Sequence, residues 1–291
     1  MPSFVTSCAK LVYLRRSTFV CVLGLLALSC ADAVRPTPAH GEPAGAARPE
    51  ATVGRPGQAA PRREPVLPTA GALARARAFA RARVGLVSFA VVDTSGGLRC
   101  HACRRRYTAA SVVKAMLLVA YLHSLSLAHR PLTPADPALL GSMIRVSDND
   151  AATAVYLRVG DAGLVRLARQ ARMKAFAVSG YWGYAQITAA DQARLFAGLS
   201  RLVPRQFLAY ARGLLSSIVS WQSWGIPEVA RPHWRTFFKG GWRRSPLGQL
   251  VHQVARLERG KLSIAIAVLT DGNPSQAYGR ETVRGIAARL V

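Results

Sequence analysis

Strand-forming sequence sits at both ends of the folded part of this chain, with a long helical stretch between, and that order limits the fold more than any other feature. Near the start, "LVSFAVVDTSGGLRCHACRRRY" reads as strand, Gly-Gly turn, strand, and predicts a hairpin. Near the end, "WRTFFKGGW", "QLVHQVARLE" and "KLSIAIAVLTDG" predict three further strands. Between them an apolar helix is expected over residues 109–124, then helical sequence from Pro134 to Met173 broken at Gly141 and Gly160. A helix starting at Thr188 carries Asp191 as its capping-box partner, and another opened by Pro204 runs to about Ile218. "GALARARAFARARVG" predicts a helix over 71–83, and a last helix spans Ser275 to Leu290. The economical arrangement is α+β: an antiparallel sheet of about five strands built from both chain ends and flanked by the terminal helices, with a helical lobe inserted.

The first quarter of the sequence stands apart. "KLVYLRRSTFVCVLGLLALSCADA" has basic residues ahead of an apolar run too short to span a bilayer, so residues 1–33 read as a signal peptide. Two processing routes are open: cleavage after Ala33 and release, or lipidation of Cys30 within the lipobox-like "LALSC". Both imply a secreted or cell-envelope protein with no transmembrane helix in the mature chain. Residues 34–67 are Pro, Ala and Gly with scattered charge, a composition that buries too little surface to offset chain entropy and reads as a disordered linker. The folded domain is expected over 68–291.

The formal net charge is +25, and from Leu73 onward 31 Lys and Arg stand against 10 Asp and Glu. For an exported chain this points to anionic cell-wall polymer rather than nucleic acid, with a plain Arg-rich compositional bias as the alternative. Of five cysteines only Cys100 and Cys103 lie in the folded part. No second Cys/His pair completes a zinc site, and in an exported chain the pair is expected to form a local structural disulfide, with a redox dithiol as the alternative. No metal or organic cofactor is implied, and no sequence feature argues against a monomer.

"TAASVVKAMLLVAYL" places Ser111 and Lys114 one helical turn apart at the head of the apolar helix. Positions i and i+3 share a face, so the Lys114 amine can reach the Ser111 hydroxyl, and the helix start supplies free N–H groups for a developing oxyanion. A lysine acts as base only when its pKa is depressed, by apolar walls or a second cation. Ser-x-x-Lys alone recurs by chance. Two further stretches give it weight: Ser147-Asp148-Asn149 in "RVSDNDAATAV", and Lys239-Gly240-Gly241 at the end of a strand in "WRTFFKGGW".

Together and in that order the three motifs resemble the active-site motifs of the class A β-lactamases and related penicillin-binding serine hydrolases. The resemblance runs from about Leu73 to the C-terminus and implies the β-lactamase-like fold with a trimmed helical lobe. It implies that Ser111 attacks an acyl carbonyl and becomes the acyl-enzyme while Lys114 takes its proton. Ser147 would relay a proton to the leaving nitrogen, and Asn149 would hydrogen-bond the substrate amide. Lys239 would supply a cation that depresses the Lys114 pKa and attracts a substrate carboxylate. The N–H groups of Ser111 and Trp242 would form the oxyanion hole, Gly240 and Gly241 would line the cleft, and Asp148 would be structural.

This sequence departs from the family at two places. Gly240 stands where the family carries a hydroxyl residue, and "KAFAVSGYWGYAQITAA" offers no carboxylate where the family places a water-activating glutamate. The expected activity is therefore acyl transfer from a peptide, ester or β-lactam with slow deacylation. The alternatives are a catalytically weak or inactive cell-wall-binding protein, and an efficient β-lactamase with another water activator, for which Tyr181 and Tyr184 are candidates. "YWGY" is otherwise expected as aromatic packing. Trp221, Trp224 and Trp234 are read as cleft lining or as a hydrophobic lid, and His233 and His252 as surface or packing residues.

Overall fold

The computed structural model describes residues 68–291; the signal-peptide and linker readings lie outside the described residues. The chain begins with α1 (Ala70–Arg81), capped by the Thr69 hydroxyl, which accepts from the Ala72 N–H at 3.2 Å. The hairpin follows as β1 (Leu86–Val92) and β2 (Leu98–His101). Asp93 closes its turn by accepting from the N–H groups of Ser95 and Gly97. Cys100, within β2, and Cys103, just past it, are joined by a disulfide. The chain then leaves this sheet: β3 (Arg106–Thr108) pairs with β4 (Gln186–Thr188) in a separate two-stranded ribbon, so the "CRRRY" end of the expected hairpin belongs elsewhere.

The apolar helix comes in two parts, a 3-10 turn over Ala110–Val113 and then α2 (Lys114–Leu127). Residues Lys114 to Leu122 of α2 are all buried, as expected of a helix apolar on every side that runs through the centre of a protein. By length and composition alone Ala110–Leu127 could cross a membrane, but 72% of it is buried inside the protein. Truncating a central side chain such as Leu118 to alanine removes about 2–5 kcal/mol of stability. The lobe continues with α3 (Asp136–Gly141), a wide π turn over Ser142–Val146, and α4 (Asn149–Gln170). Gly141 does not break the helix; its backbone is regular (φ −60°, ψ −50°), and the break falls at Ser147, which is left-handed at φ 64° and ψ 34°. Gly160 does break α4, at φ 64° and ψ 175°.

Thr188 caps α5 (Ala189–Ala197), accepting from the Asp191 N–H at 3.1 Å. Asp191 does not return the capping bond; its carboxylate accepts instead from the N–H groups of Lys174 and Ala175 and pins the loop after α4. Three short helices follow, α6 (Leu199–Leu202), α7 (Leu208–Ser216) and α8 (Ile226–Ala230). The chain then makes three long antiparallel strands, β5 (Arg235–Ser245), β6 (Gly248–Arg259) and β7 (Leu262–Asn273), and ends in α9 (Gln276–Leu290).

The main sheet has the order β2-β1-β7-β6-β5, so strands from the two chain ends meet where β1 pairs antiparallel with β7. Its inner strands are buried on both faces: every residue of β7 from Ile264 to Thr270 is buried, with α5 and α9 packed against it, and α1 packs on β1, β2 and α9. β5 forms one edge, and the 3-10 turn at Ser111 packs against it.

Candidate active site

Ser111 sits where an extended segment turns abruptly into a helix. Ala110, just before it, takes φ 45°, a left-handed conformation costly for a residue with a side chain, and this sharp entry leaves the Ser111 side chain half-buried at the surface of the turn. Against that turn lies Gly241. A Cβ there would stand 2.8 Å from both Ser111 N and Val112 N, so only a bare backbone lets β5 come this close to the Ser111 turn. The residue type at 241 is set by that approach.

Lys114 points from the first turn of α2 into the lobe. Its Nζ donates to Ser147 O, to Ser147 Oγ at 3.2 Å and to Asn149 Oδ1 at 2.8 Å. No hydrogen bond joins it to Ser111, whose hydroxyl has no partner among the described residues. Lys239 enters from β5 and donates to Ser147 Oγ at 3.0 Å and to Gly240 O at 2.9 Å. The left-handed backbone of Ser147 turns its carbonyl and hydroxyl toward these amines, and Asp148 fixes the turn by accepting from the Ala151 N–H at 2.8 Å as the cap of α4. From the far side Gln222 Nε2 donates to Val146 O at 2.9 Å.

Both lysines are fully buried. Burial lowers the Lys114 pKa from 10.5 to about 8, partly opposed by the Asp148 charge. Burial also takes Lys239 well below its ordinary value, and repulsion from Lys114 adds to the shift. Among the described residues no carboxylate hydrogen-bonds to Lys114 or Lys239. Part of the apolar wall around Lys114 is Trp182, itself only 2% exposed, whose ring centroid lies 4.9 Å from Nζ and whose Nε1 donates to Thr153 Oγ1. The sequence pointed to the flanking Tyr181 and Tyr184, but these are 42% and 56% exposed and pack against each other with their planes tilted by 59°, and the buried ring between them is the one that meets the lysine.

The sequence matches the profile of the Beta-lactamase enzyme family over residues 137–291, just over half of the chain. The chain belongs to the β-lactamase enzyme family. Its fold is that of solved β-lactamases. The enzyme from Sphaerobacter thermophilus superposes with a TM-score of 0.66 at 20% identity, covering 75% of this chain and 94% of that one. The TLA-1 extended-spectrum β-lactamase gives 0.68 at 11% identity, covering 75% and 96%, and an ancestral class A β-lactamase gives 0.65 at 17%, covering 75% and 98%. A search of curated protein sequences finds no match.

Within this β-lactamase-like frame Ser111, Lys114, Ser147, Asn149 and Lys239 come from three separate parts of the chain, and the last four form one hydrogen-bonded cluster. The four acids between the second and third motifs do not join it. Asp161 accepts from the Tyr156 hydroxyl and the Gly180 N–H, Asp191 holds the loop at Lys174, and Glu228 pairs with Arg284 and the Gly225 N–H. Asp150 is exposed and carries no side-chain hydrogen bond among the described residues.

The glycine at 240 has a visible cause. The Trp224 ring lies over it, 3.3 Å from where a Cβ would be, and Trp224 stacks edge-on against Trp242 at 6.2 Å, with Trp221 on the other side of Trp242 at 6.4 Å. Arg280 from α9 covers Trp224 and Trp242. Of the three tryptophans read as lining the cleft, Trp234 does not: it is buried in the core beneath Arg259. His233 is exposed, whereas His252 is fully buried between Thr108 O and the Thr270 N–H, and burial lowers its pKa to about 4. It packs as a neutral ring.

Proposed function

We propose that this chain is an exported serine hydrolase that works through an acyl-enzyme on Ser111. The observation that carries the reading is the convergence of two buried lysines on one serine hydroxyl, Ser147, beside a half-buried serine at the head of a helix. A lysine with its pKa near 8 is neutral in a useful fraction of molecules at neutral pH. Once neutral, Lys114 has one donor fewer and one lone pair more; a small rotation toward Ser111 lets it take the hydroxyl proton as the oxygen attacks an acyl carbonyl. The Ser111 and Trp242 N–H groups hold the oxyanion. Ser147, in contact with both lysines, passes a proton to the leaving group, Asn149 orients the substrate amide, and Lys239 draws in an anionic substrate.

Deacylation is the slow step, because among the described residues no carboxylate hydrogen-bonds to the two lysines to activate water there. The substrate is an amide, ester or β-lactam. The second reading is a protein that binds such substrates without turning them over, and it is favoured by the engagement of Lys114 with Ser147 and Asn149 in place of Ser111. Intact mass of the purified protein after incubation with a fluorophosphonate, and separately with a penicillin, distinguishes the two. An adduct on the wild type and none on Ser111→Ala supports the hydrolase; no adduct from either reagent leaves the binding protein.

A further inference from the structure

Away from the Ser111 cluster, a cavity of about 900 Å³ lies where the end of α4 meets α5, α6 and the sheet, and none of the five motif residues lines it. Six cationic side chains line it, Arg169, Arg172, Lys174, Arg194, Arg201 and Arg256, against a single carboxylate, that of Asp93. That carboxylate is already engaged by Arg99 at 2.8 Å and by Ser95. Arg256 is held by Glu258 and Ala197 O, and Arg194 reaches Asp191 at 3.4 Å. Arg169, Arg172, Lys174 and Arg201 are exposed and make no side-chain hydrogen bond or ion pair among the described residues.

Cations near a helix C-terminus often serve only to balance its dipole. Here the last carbonyls of α4 are already met by backbone: Ala171 N donates to Leu167 O, and Met173 N to Ala168 O, both at 2.9 Å. The residue just past the helix is left-handed at φ 54°, a position that ordinarily favours glycine or asparagine, and this chain has Arg172 there. The remaining cations come from different elements, the loop after α4, α5, α6 and β6, and converge on one space. So many like charges around one cavity repel one another and destabilise the folded state unless an anion joins them.

We propose that this cavity is an anion site for a ligand carrying two or more phosphate groups. Five of the six cations are arginines, whose planar forks match phosphate oxygens two at a time, and the volume suits a small multiply charged ligand or a short stretch of a phosphate polymer. The site is independent of the chemistry at Ser111.

The test is calorimetric titration of the full-length protein with inorganic tripolyphosphate at about 0.15 M ionic strength, where exposed charges are screened beyond ~8 Å. Citrate serves as the carboxylate control. Tripolyphosphate is expected to bind at least tenfold more tightly than citrate. Arg172→Gln/Arg201→Gln, two exposed positions, is expected to weaken it at least tenfold, while Arg104→Gln/Arg106→Gln, an equal charge change outside the cavity, leaves it within twofold. Equal losses in the two double variants, equal affinity for citrate, or no binding at all overturns the proposal. A poly(glycerol phosphate) arm identifies the source. Tighter binding of the polymer, lost in the same cavity variant, places the phosphates on a polymer; tighter binding of tripolyphosphate places them on a small molecule.

Discussion

Lys114 and Lys239 approach the same oxygen from two sides, their Nζ atoms 3.2 and 3.0 Å from Ser147 Oγ. Two ammonium groups this close in a dry site repel strongly, so the state with both charged is disfavoured and proton transfer out of the cluster is made easier. The acylation rate of Ser111 is expected to rise with pH as Lys114 loses its proton, with a midpoint near 8. Stopped-time mass spectrometry of adduct formation between pH 6 and 10 checks this. A flat profile across that range would remove Lys114 from the role of base.

The same lysines carry a stability consequence. Their folded pKa values lie below the ordinary 10.5, so between about 8 and 10.5 the unfolded chain holds more protons than the folded one. Stability then rises with pH through that window, and for Lys114 the full penalty for burying charge applies below it. A Lys114→Met/Lys239→Met variant lacks this penalty. The melting temperature of wild type minus variant is expected to increase from pH 7.5 to pH 10; a constant difference contradicts the assignment of depressed lysines.

Among the described residues no acid joins the cluster, which predicts a long-lived acyl-enzyme. General-base activation of water is worth about 10²–10⁴-fold in rate, and deacylation here should be slower by that order than acylation. With nitrocefin the expected record is a burst of about one equivalent followed by very slow turnover. Rapid steady-state hydrolysis would instead show that another group activates water, with Tyr181 and Tyr184 the first to substitute.

Much of this was legible in the sequence, for reasons that differ by residue. The five-stranded sheet could be read because β5, β6 and β7 are long and apolar and sit between clear turn residues, and the motif residues because Ser111, Ser147 and Lys239 recur in a known order. The β3–β4 ribbon escaped notice: each of its strands has three residues, too few to carry a period. Asp191 looked like a capping partner because Thr188 precedes it by three, but the N–H groups it accepts from belong to residues 174 and 175, a tertiary pairing that local spacing does not encode. Trp182 was hidden for a similar reason. Only the folded chain brings its ring over Lys114, although a tryptophan between two glycines in a segment lacking the usual acid was a signal that could have been followed.

Trp224 and Gly240 form a matched pair, and their exchange is the sharpest test of why this member of the family lacks a hydroxyl in its third motif. Threonine at 240 would push its Cβ to 3.3 Å from the Trp224 ring, with two further heavy atoms to place in a space already shared by Trp224, Trp242 and Arg280. Gly240→Thr alone is therefore expected to destabilise the fold by about 1–3 kcal/mol through overpacking. Trp224→Ala alone removes a half-buried ring and is expected to cost less than the ~3–5 kcal/mol of a fully buried one. In the double variant the threonine enters the space the ring has left, so the two costs should fall short of additive by at least ~1 kcal/mol, as contacting residues do in a double-mutant cycle. The restored hydroxyl also stands beside Lys239 as a donor for a substrate carboxylate, and penicillin acylation of the double variant is expected to exceed that of either single variant. Denaturant melts of all four proteins and their rates of penicillin adduct formation read the two effects separately. Strict additivity in the melts shows that the ring does not dictate the glycine, and an unchanged acylation rate shows that the hydroxyl is not what limits β-lactam capture.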